Sequence, residues 1–548
     1  MKKAFCLFFI CILLFSLSGC GPERSLPDGA DTEWTGGSLE EKNPQGGNLQ
    51  PNRPSQEAEA ESVEITESAL LPLQLYLGSH YLDEWDENFN VLCAMSWQNL
   101  RMGEESAKRF PALYEILQGM DAENAAYYAS TMEGLLPQAK EACAANPEYF
   151  SGFSMESRYS PQRADSFVLS IMEDSYEYTG GVHPNYGCFC MNFDPASGEL
   201  LQLEDILLNT ESLPQLLAEK IRSKYSFDSF EGLEGQLADY SLIDFNWSLG
   251  YQGITFYFNP SEIAAYAVGL LSVTIWFDEN PELFQEKYME VPEGGYARLL
   301  PLFTEVEVDL KANDGRRDQL SVFTVEGEYG SKQLQILWNE VEFVEDDYTG
   351  FELIPYLVCL GEGAAARYFL YVETVGENGY RSLYMYDLNG EVISMIAELS
   401  GAGFPSYHDE EQGIYYYALF NDPSSFLLGT KINILGSMTG TKHYSTNPQS
   451  GIAETTADAY DLPEDMPEII SKIPLRVRIL PQLQEEELPA GTHFSFLQTD
   501  NESYVDMSLP DGRKCRIDFE YKDWTLTING VPDLDCFEEL IYSDSNAG

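Results

Sequence analysis

Two patterns of apolar and polar positions divide this chain of 548 residues. In the first, strand-like runs are broken by helical periodicity. Leu70–Tyr81 and Asn90–Met102 predict strands, and Glu104–Met120 and Ala122–Ala145 predict two helices. In the second of these helices, Leu135, Ala139 and Cys143 recur on one face, with Tyr128 and Met132 beside them. Phe150–Tyr159 and Ala164–Tyr178 then predict a hairpin turning at Ser160-Pro161-Gln162-Arg163. A second hairpin follows in Gly180–Leu207. Cys188–Phe193 is one strand, Glu199–Leu203 the other, and Asp194-Pro195-Ala196-Ser197-Gly198 the turn between them. Pro presets φ there, Asp bonds its own backbone onward, and Gly accepts positive φ. A helix is expected near Leu213–Tyr225, then strands at Phe245–Leu249, Gly253–Phe258 and Leu271–Trp276, with a helical turn at Glu262–Ala265.

From Tyr296 the helical periodicity disappears. Short runs such as Leu320–Val325, Gln333–Trp338, Tyr368–Thr374, Ser382–Tyr386 and Ile414–Leu419 alternate with turns every eight to twelve residues or so. Asn389-Gly390 and Asn529-Gly530 are tight-turn signals, because both residues of a type I′ turn need positive φ. The expected fold is α+β: an antiparallel sheet with helices on one face, followed by a β-rich C-terminal domain that is sandwich or propeller-like.

Other features set the expected domain order. Lys2 and Lys3 precede the apolar run Ala4–Phe15, and Leu17-Ser18-Gly19-Cys20 looks like a bacterial lipobox. The expectation is a lipoprotein signal peptide at 1–19, with Cys20 carrying the lipid and holding the protein at the outer face of the plasma membrane. Residues 20–62, rich in Gly, Pro, Gln, Asn and Glu, predict a disordered tether of roughly 35 Å reach. An α+β module at 63–295 and a β-rich domain at 296–548 complete the order.

Charge narrows the function classes. With 31 basic against 90 acidic residues, the formal net charge of −59 argues against nucleic acid, whose phosphates are met by Lys and Arg. A cationic partner is compatible with it, and so is simple solubility. Catalytic signatures are missing: there is no HExxH, no G-x-S-x-G and no Walker loop. The five histidines, His80, His183, His408, His443 and His493, are scattered too widely for a zinc motif. Asp309–Asp318 places oxygen donors around a Gly turn, but Lys311 stands where a calcium donor is needed, so a solvated hairpin turn is the reading taken. No catalytic residue, metal ligand or cofactor is assigned. Cys515 and Cys536 lie in neighbouring strand patterns, and whether they pair stays open.

Three segments together carry a resemblance: Gly180-Gly181-Val182-His183, the DPASGELLQLEDIL hairpin, and FYFNPSEIAAYAVGLLSVTI at Phe256–Ile275. They resemble the extracellular module of RsiV-type anti-sigma factors, also found ahead of the catalytic domain of PdaC-type peptidoglycan deacetylases. The family pattern reads GGAH, FD-x-x-TG and PYEIAPYA. Here Val182 replaces Ala, Ser197 replaces Thr, and Pro260–Ala267 reads PSEIAAYA. The resemblance spans about Val63–Phe284. It implies the same α+β character and recognition of a lysozyme-like protein or of peptidoglycan itself. A deacetylase needs an Asp-Asp pair and His-x-x-x-His, and the chain has no His-x-x-x-His. An anti-sigma factor needs a membrane span and a cytoplasmic segment, where this chain shows a lipobox. The expected function is therefore a non-enzymatic envelope lipoprotein that binds such a ligand. The alternative is a peptidoglycan-modifying or accessory enzyme with chemistry in the C-terminal domain. The residues expected to bind are Tyr178, His183, Asn185 and Tyr186, which put aromatic and hydrogen-bonding groups on one turn. His183 has a second reading, as a turn histidine that orders its own loop.

Overall fold

The computed structural model describes residues 70–542, except 226–229, 231, 303, 311–315, 327–331, 340, 346–351, 377–379, 456 and 523–524. The leader, Cys20 and the tether lie outside the described residues.

The α+β part is organised by a seven-stranded sheet. Its strands are β1 (Leu75–Trp85), β2 (Val91–Met102), β3 (Phe153–Ala164), β4 (Leu169–Tyr178) and β5 (Asn185–Phe193), with Ser406–Asp409 and Ile414–Ala418 added beside β1. All neighbours are antiparallel except β2 and β3. A parallel pair needs a long crossover, supplied by α1 (Glu104–Arg109) and α2 (Pro111–Ala145), whose aromatic Tyr128 stacks on Trp97 of β2. The two expected helices meet at a different place. The break falls at Phe110, where Pro111 starts α2 without needing an N–H partner, and α2 then runs unbroken through Met120 and Ala122.

The turn expected at Ser160–Arg163 is not there. β3 continues through these residues, and a bulge between Pro161 and Arg163 absorbs the missing proline N–H. The chain reverses instead at Asp165, whose Oδ1 accepts from the backbone N–H groups of Phe167 (2.8 Å) and Val168 (3.0 Å). Arg163 is fully buried, and its Nε donates to Asp165 (2.6 Å) while an NH2 group donates to the Tyr288 carbonyl (2.6 Å). A buried guanidinium so partnered holds the strand where the local sequence favours a turn.

The 194–198 turn forms as its residues dictate: Asp194 Oδ1 accepts from Ala196 N (2.8 Å) and Ser197 N (3.1 Å). Gly198 has φ +70°, and a Cβ there would lie 2.9 Å from the Ala112 carbonyl at the start of α2. The return strand expected at Glu199–Leu203 shrinks to one bridge, Phe193 to Leu200, before a single helical turn at Leu203–Ile206. Beyond it, α3 (Leu213–Lys224) lays Leu217 and Ile221 on a three-stranded meander, β6 (Asn246–Leu249), β7 (Gly253–Phe258) and β8 (Leu271–Trp276).

The β-rich part is layered. A four-stranded sheet contributes Leu320, Ile336 and Trp338 to the same core as Leu357, Leu370 and Tyr386 of a five-stranded sheet. Neighbouring residues of the latter, Val358, Phe369 and Tyr371, face a second core with Phe404, Phe420 and Leu428. Alternation thus fills both faces, which is a sandwich arrangement. Among the described residues, no helix is long and apolar enough to cross a membrane.

Candidate functional site

Strand direction brings three connections to one end of the seven-stranded sheet. β1 ends and β2 begins there, β3 starts beside β2, and β4 ends opposite the start of β3. The β1–β2 turn, the segment before β3 and the β4–β5 connection therefore share that end. Large apolar groups are exposed on all three: Trp85 and Phe89, then Tyr149, then Val182 and Tyr186. Carboxylates stand among them, including Asp83, Glu84, Glu87, Glu148 and Glu177, and residues 81–90, 141–153 and 174–187 contain no Lys or Arg. Exposed aromatic and apolar groups thus stand among carboxylates at this end.

The four expected binding residues all lie on this end, and the structure connects them unequally. His183 is exposed and stacks on Tyr266 at 4.2 Å between ring centroids, 26° from parallel. Its Nδ1 is 3.2 Å from the Pro184 carbonyl, and the Tyr266 hydroxyl donates to that same carbonyl. Tyr186 meets the Tyr266 ring edge-on at 5.9 Å. Gly269, at φ +85°, permits this approach, since a Cβ there would stand 3.1 Å from the Tyr186 hydroxyl oxygen. Tyr178 is half-buried and donates to the Gly181 carbonyl at 3.4 Å, within its own loop. Asn185 is exposed and pairs through its backbone with Glu177. Sequence reasoning missed Tyr266, the residue that ties the loop together. The available signal was its place in PSEIAAYA. Burial, and then the neighbouring Tyr186, raise the Tyr266 pKa, so its phenol stays neutral.

β5 is held in register with the meander by asparagine side chains rather than by a strand ladder. Cys188 N–H donates to Asn259 Oδ1 (2.8 Å) and Cys190 N–H to Asn246 Oδ1 (2.8 Å), while Asn246 Nδ2 returns to the Cys188 carbonyl (2.9 Å). Asn259 immediately precedes PSEIAAYA, so this clamp fixes the start of the segment that carries Tyr266.

Other expected chemistry resolves elsewhere. Lys311–Gly315 lie outside the described residues, but the flanking carboxylates are engaged: Asp309 pairs with Arg317, and Asp318 accepts from Trp338 Nε1 (3.0 Å) and Asn339 Nδ2 (2.7 Å). Among the described residues, no group of three or more His, Cys, Asp or Glu is placed to hold a metal ion. Cys515 and Cys536 are buried free thiols, their pKa values pushed up by burial to about 12 and about 11. In the β-rich part, burial pushes Glu373 up to about 7, against the opposing pull of Arg381.

Comparison with known proteins bears on the part that carries Tyr266. Residues 205–278, from the Leu203–Ile206 turn to the end of β8, match the family described as a protein of unknown function, DUF3298. The chain is similar to the crystal structure of a DUF3298 family member from Bacteroides fragilis, at 20% identity, covering 39% of this chain and 96% of that one, with a TM-score of 0.31. It is also similar to a DUF3298 family protein from Pseudomonas aeruginosa PAO1, at 14% identity, covering 40% and 96%, with a TM-score of 0.27. No curated protein matches the chain.

Proposed function

We propose that this protein is a lipid-anchored, extracytoplasmic binding protein without catalytic activity, whose module recognises an envelope ligand through the end of the sheet that carries the 178–186 loop. The ligand is a lysozyme-like cationic protein or a peptidoglycan fragment. The resemblance to the RsiV-type module suggests this ligand class, and the DUF3298 match over residues 205–278 is compatible with it. The observation that carries the reading is the clustering of Trp85, Phe89, Tyr149, Val182 and Tyr186 on one acidic end with no Lys or Arg in its three connections. Exposed aromatic groups in such density are a feature of recognition surfaces.

The test is titration of the chain lacking residues 1–62 with hen lysozyme and with muropeptides, from about 50 to 500 mM salt, where screening length shrinks severalfold. Submicromolar lysozyme binding that weakens with salt is expected. His183→Ala with Tyr186→Ala should weaken it about tenfold or more, roughly 1.4 kcal/mol. Muropeptide binding alone would move the function to wall sensing. Binding of neither by the folded protein would overturn the proposal.

A further inference from the structure

Beneath the second half of α2 the sheet face is apolar, with Cys93, Met95 and Trp97 packed on Tyr128, Met132 and Ala139, but beneath the first half it turns polar. Register places Gly78, His80, Trp97, Asn99, Arg101 and Tyr416 on that face. From α2, Asp121 reaches to 3.3 Å from His80 Nε2 and 3.7 Å from Arg101. Arg101 also donates to Asp409 at 2.5 Å and lies 4.1 Å over the Tyr416 ring. Each member is held by another. The His80 ring stacks on Trp97 at 4.9 Å, and Trp97 on Tyr128 at 4.5 Å. Asn99 donates to the Tyr416 hydroxyl at 2.9 Å. Gly78 leaves the space that the Tyr416 ring fills, since a Cβ there would lie 2.4 Å from it. Burial works against the Asp121 carboxylate, but His80 and Arg101 more than offset it and hold its pKa down. Buried charges of this kind add little stability over apolar packing, yet they are what a preorganised binding floor requires.

This layer is not sealed. It opens into a cavity of about 560 Å³ between α2, the middle of the β1–β2 pair and the turn at Gln412, within the range of about 300–1,000 Å³ used by small-molecule sites. Leu117, Ala122 and Ile414 make an apolar wall, and Gln118 and Gln412 stand on it. Gln412 accepts from the Tyr416 hydroxyl (3.2 Å), leaving its amide NH2 to donate. Gln118 donates to Tyr114 (2.6 Å), leaving its carbonyl to accept.

The balance of charge selects the ligand. The lining carries one carboxylate, Asp121, and one guanidinium, Arg101, and each is already turned to an opposite charge or the His80 ring within the layer, so neither is left over for a charged ligand. Donors and acceptors interspersed over an apolar wall suit hydroxyl groups, each of which does both. We propose that this cleft is a second binding site, distinct from the sheet end, for an uncharged hydroxyl-rich molecule of mono- or disaccharide size. The ring's CH face would lie on Leu117, Ala122 and Ile414, and its hydroxyls would meet His80, Gln118 and Gln412.

Calorimetric titration of the chain lacking residues 1–62 with N-acetylglucosamine and its β1,4-linked disaccharide tests this, with glucuronate and glucosamine as charged comparators. Saturable binding of the neutral sugars, at least tenfold tighter than either charged one, is expected. Ala122→Phe, which fills the cleft from α2, should abolish it. Gln118→Ala with Gln412→Ala, both exposed and checked for folding by an unchanged melt, should weaken it at least fivefold. No neutral-sugar binding by the folded protein, preference for a charged sugar, or binding unchanged in the double glutamine variant would each overturn the proposal. The lysozyme titration reads the sheet end. Muropeptide binding belongs to the cleft if Ala122→Phe abolishes it and to the sheet end if His183→Ala with Tyr186→Ala does, so the two readings fail separately.

Discussion

Glu373 has 1% of its surface exposed, pairs with Arg381 at 2.6 Å and accepts the Phe404 N–H at 2.6 Å. Burial nevertheless wins and raises its pKa to about 7, and burial likewise raises Asp174 to about 6. Both values lie above those of an unfolded chain, about 4. The folded protein therefore holds protons that the unfolded chain has released, and this contribution to stability is full below about pH 4 and lost as pH rises to about 7. Thermal melts should show Tm falling from pH 5 to 7.5, and Glu373→Gln should flatten that fall. An unchanged slope in the variant would mean that Glu373 does not titrate in this range. Residue identity alone is a limited guide at this scale. Asn529 and Gly530 both take positive φ, as the type I′ signal predicts, whereas Asn389 and Gly390 do not. Asn389 instead turns its amide to the Tyr368 backbone, accepting from its N–H (2.9 Å) and donating to its carbonyl (2.8 Å). One dipeptide thus has two outcomes.

Among the elements, β5 shows how far local pattern carries. Its alternation predicted a strand, and a strand it is, but nothing in the alternation says that its outer edge is closed by Asn246 and Asn259. Removing Asn246 leaves the Cys190 N–H without its partner, at about 1–3 kcal/mol, while Asn259 still bonds the N–H and the carbonyl of Cys188. Asn246→Ala should lower stability by that amount in denaturant titration. Asn259→Ala should loosen the His183–Tyr266 contact, read as faster amide exchange over 180–187. Normal exchange there would separate the clamp from the loop. The misplaced turn at Ser160–Arg163 has the same origin: Pro161 argues locally for reversal, and the buried Arg163–Asp165 pair overrides it.

At the scale of the molecule, the first sheet draws strands from both sides of the boundary expected at 296. Tyr76, Leu77 and Gly78 pair with Ala418, Tyr417 and Tyr416, and Arg101 and Asn99 find Asp409 and Tyr416 there. A fragment of residues 63–295 would expose the β1 edge and strand Arg101 beside Asp121 alone. It should melt more than about 5 °C below the chain lacking residues 1–62, at roughly 2–4 °C per kcal/mol. Equal melting temperatures would show that the hairpin adds nothing to the module's stability.

Pattern and composition by themselves determined the α+β class, the change to β structure after about 296, most strand positions, the Asp194 turn and the loop on which the aromatic end is built. Each of these rests on neighbours a few residues apart, where periodicity and turn chemistry act directly. Only the tertiary structure decided that Tyr266 closes on His183, that Trp85, Phe89 and Tyr149 share an end with Tyr186, and that His80, Arg101 and Asp121 meet over one cavity. Those groups are brought together by strand order and by a helix crossing the sheet, and residues met that way need no characteristic spacing along the chain.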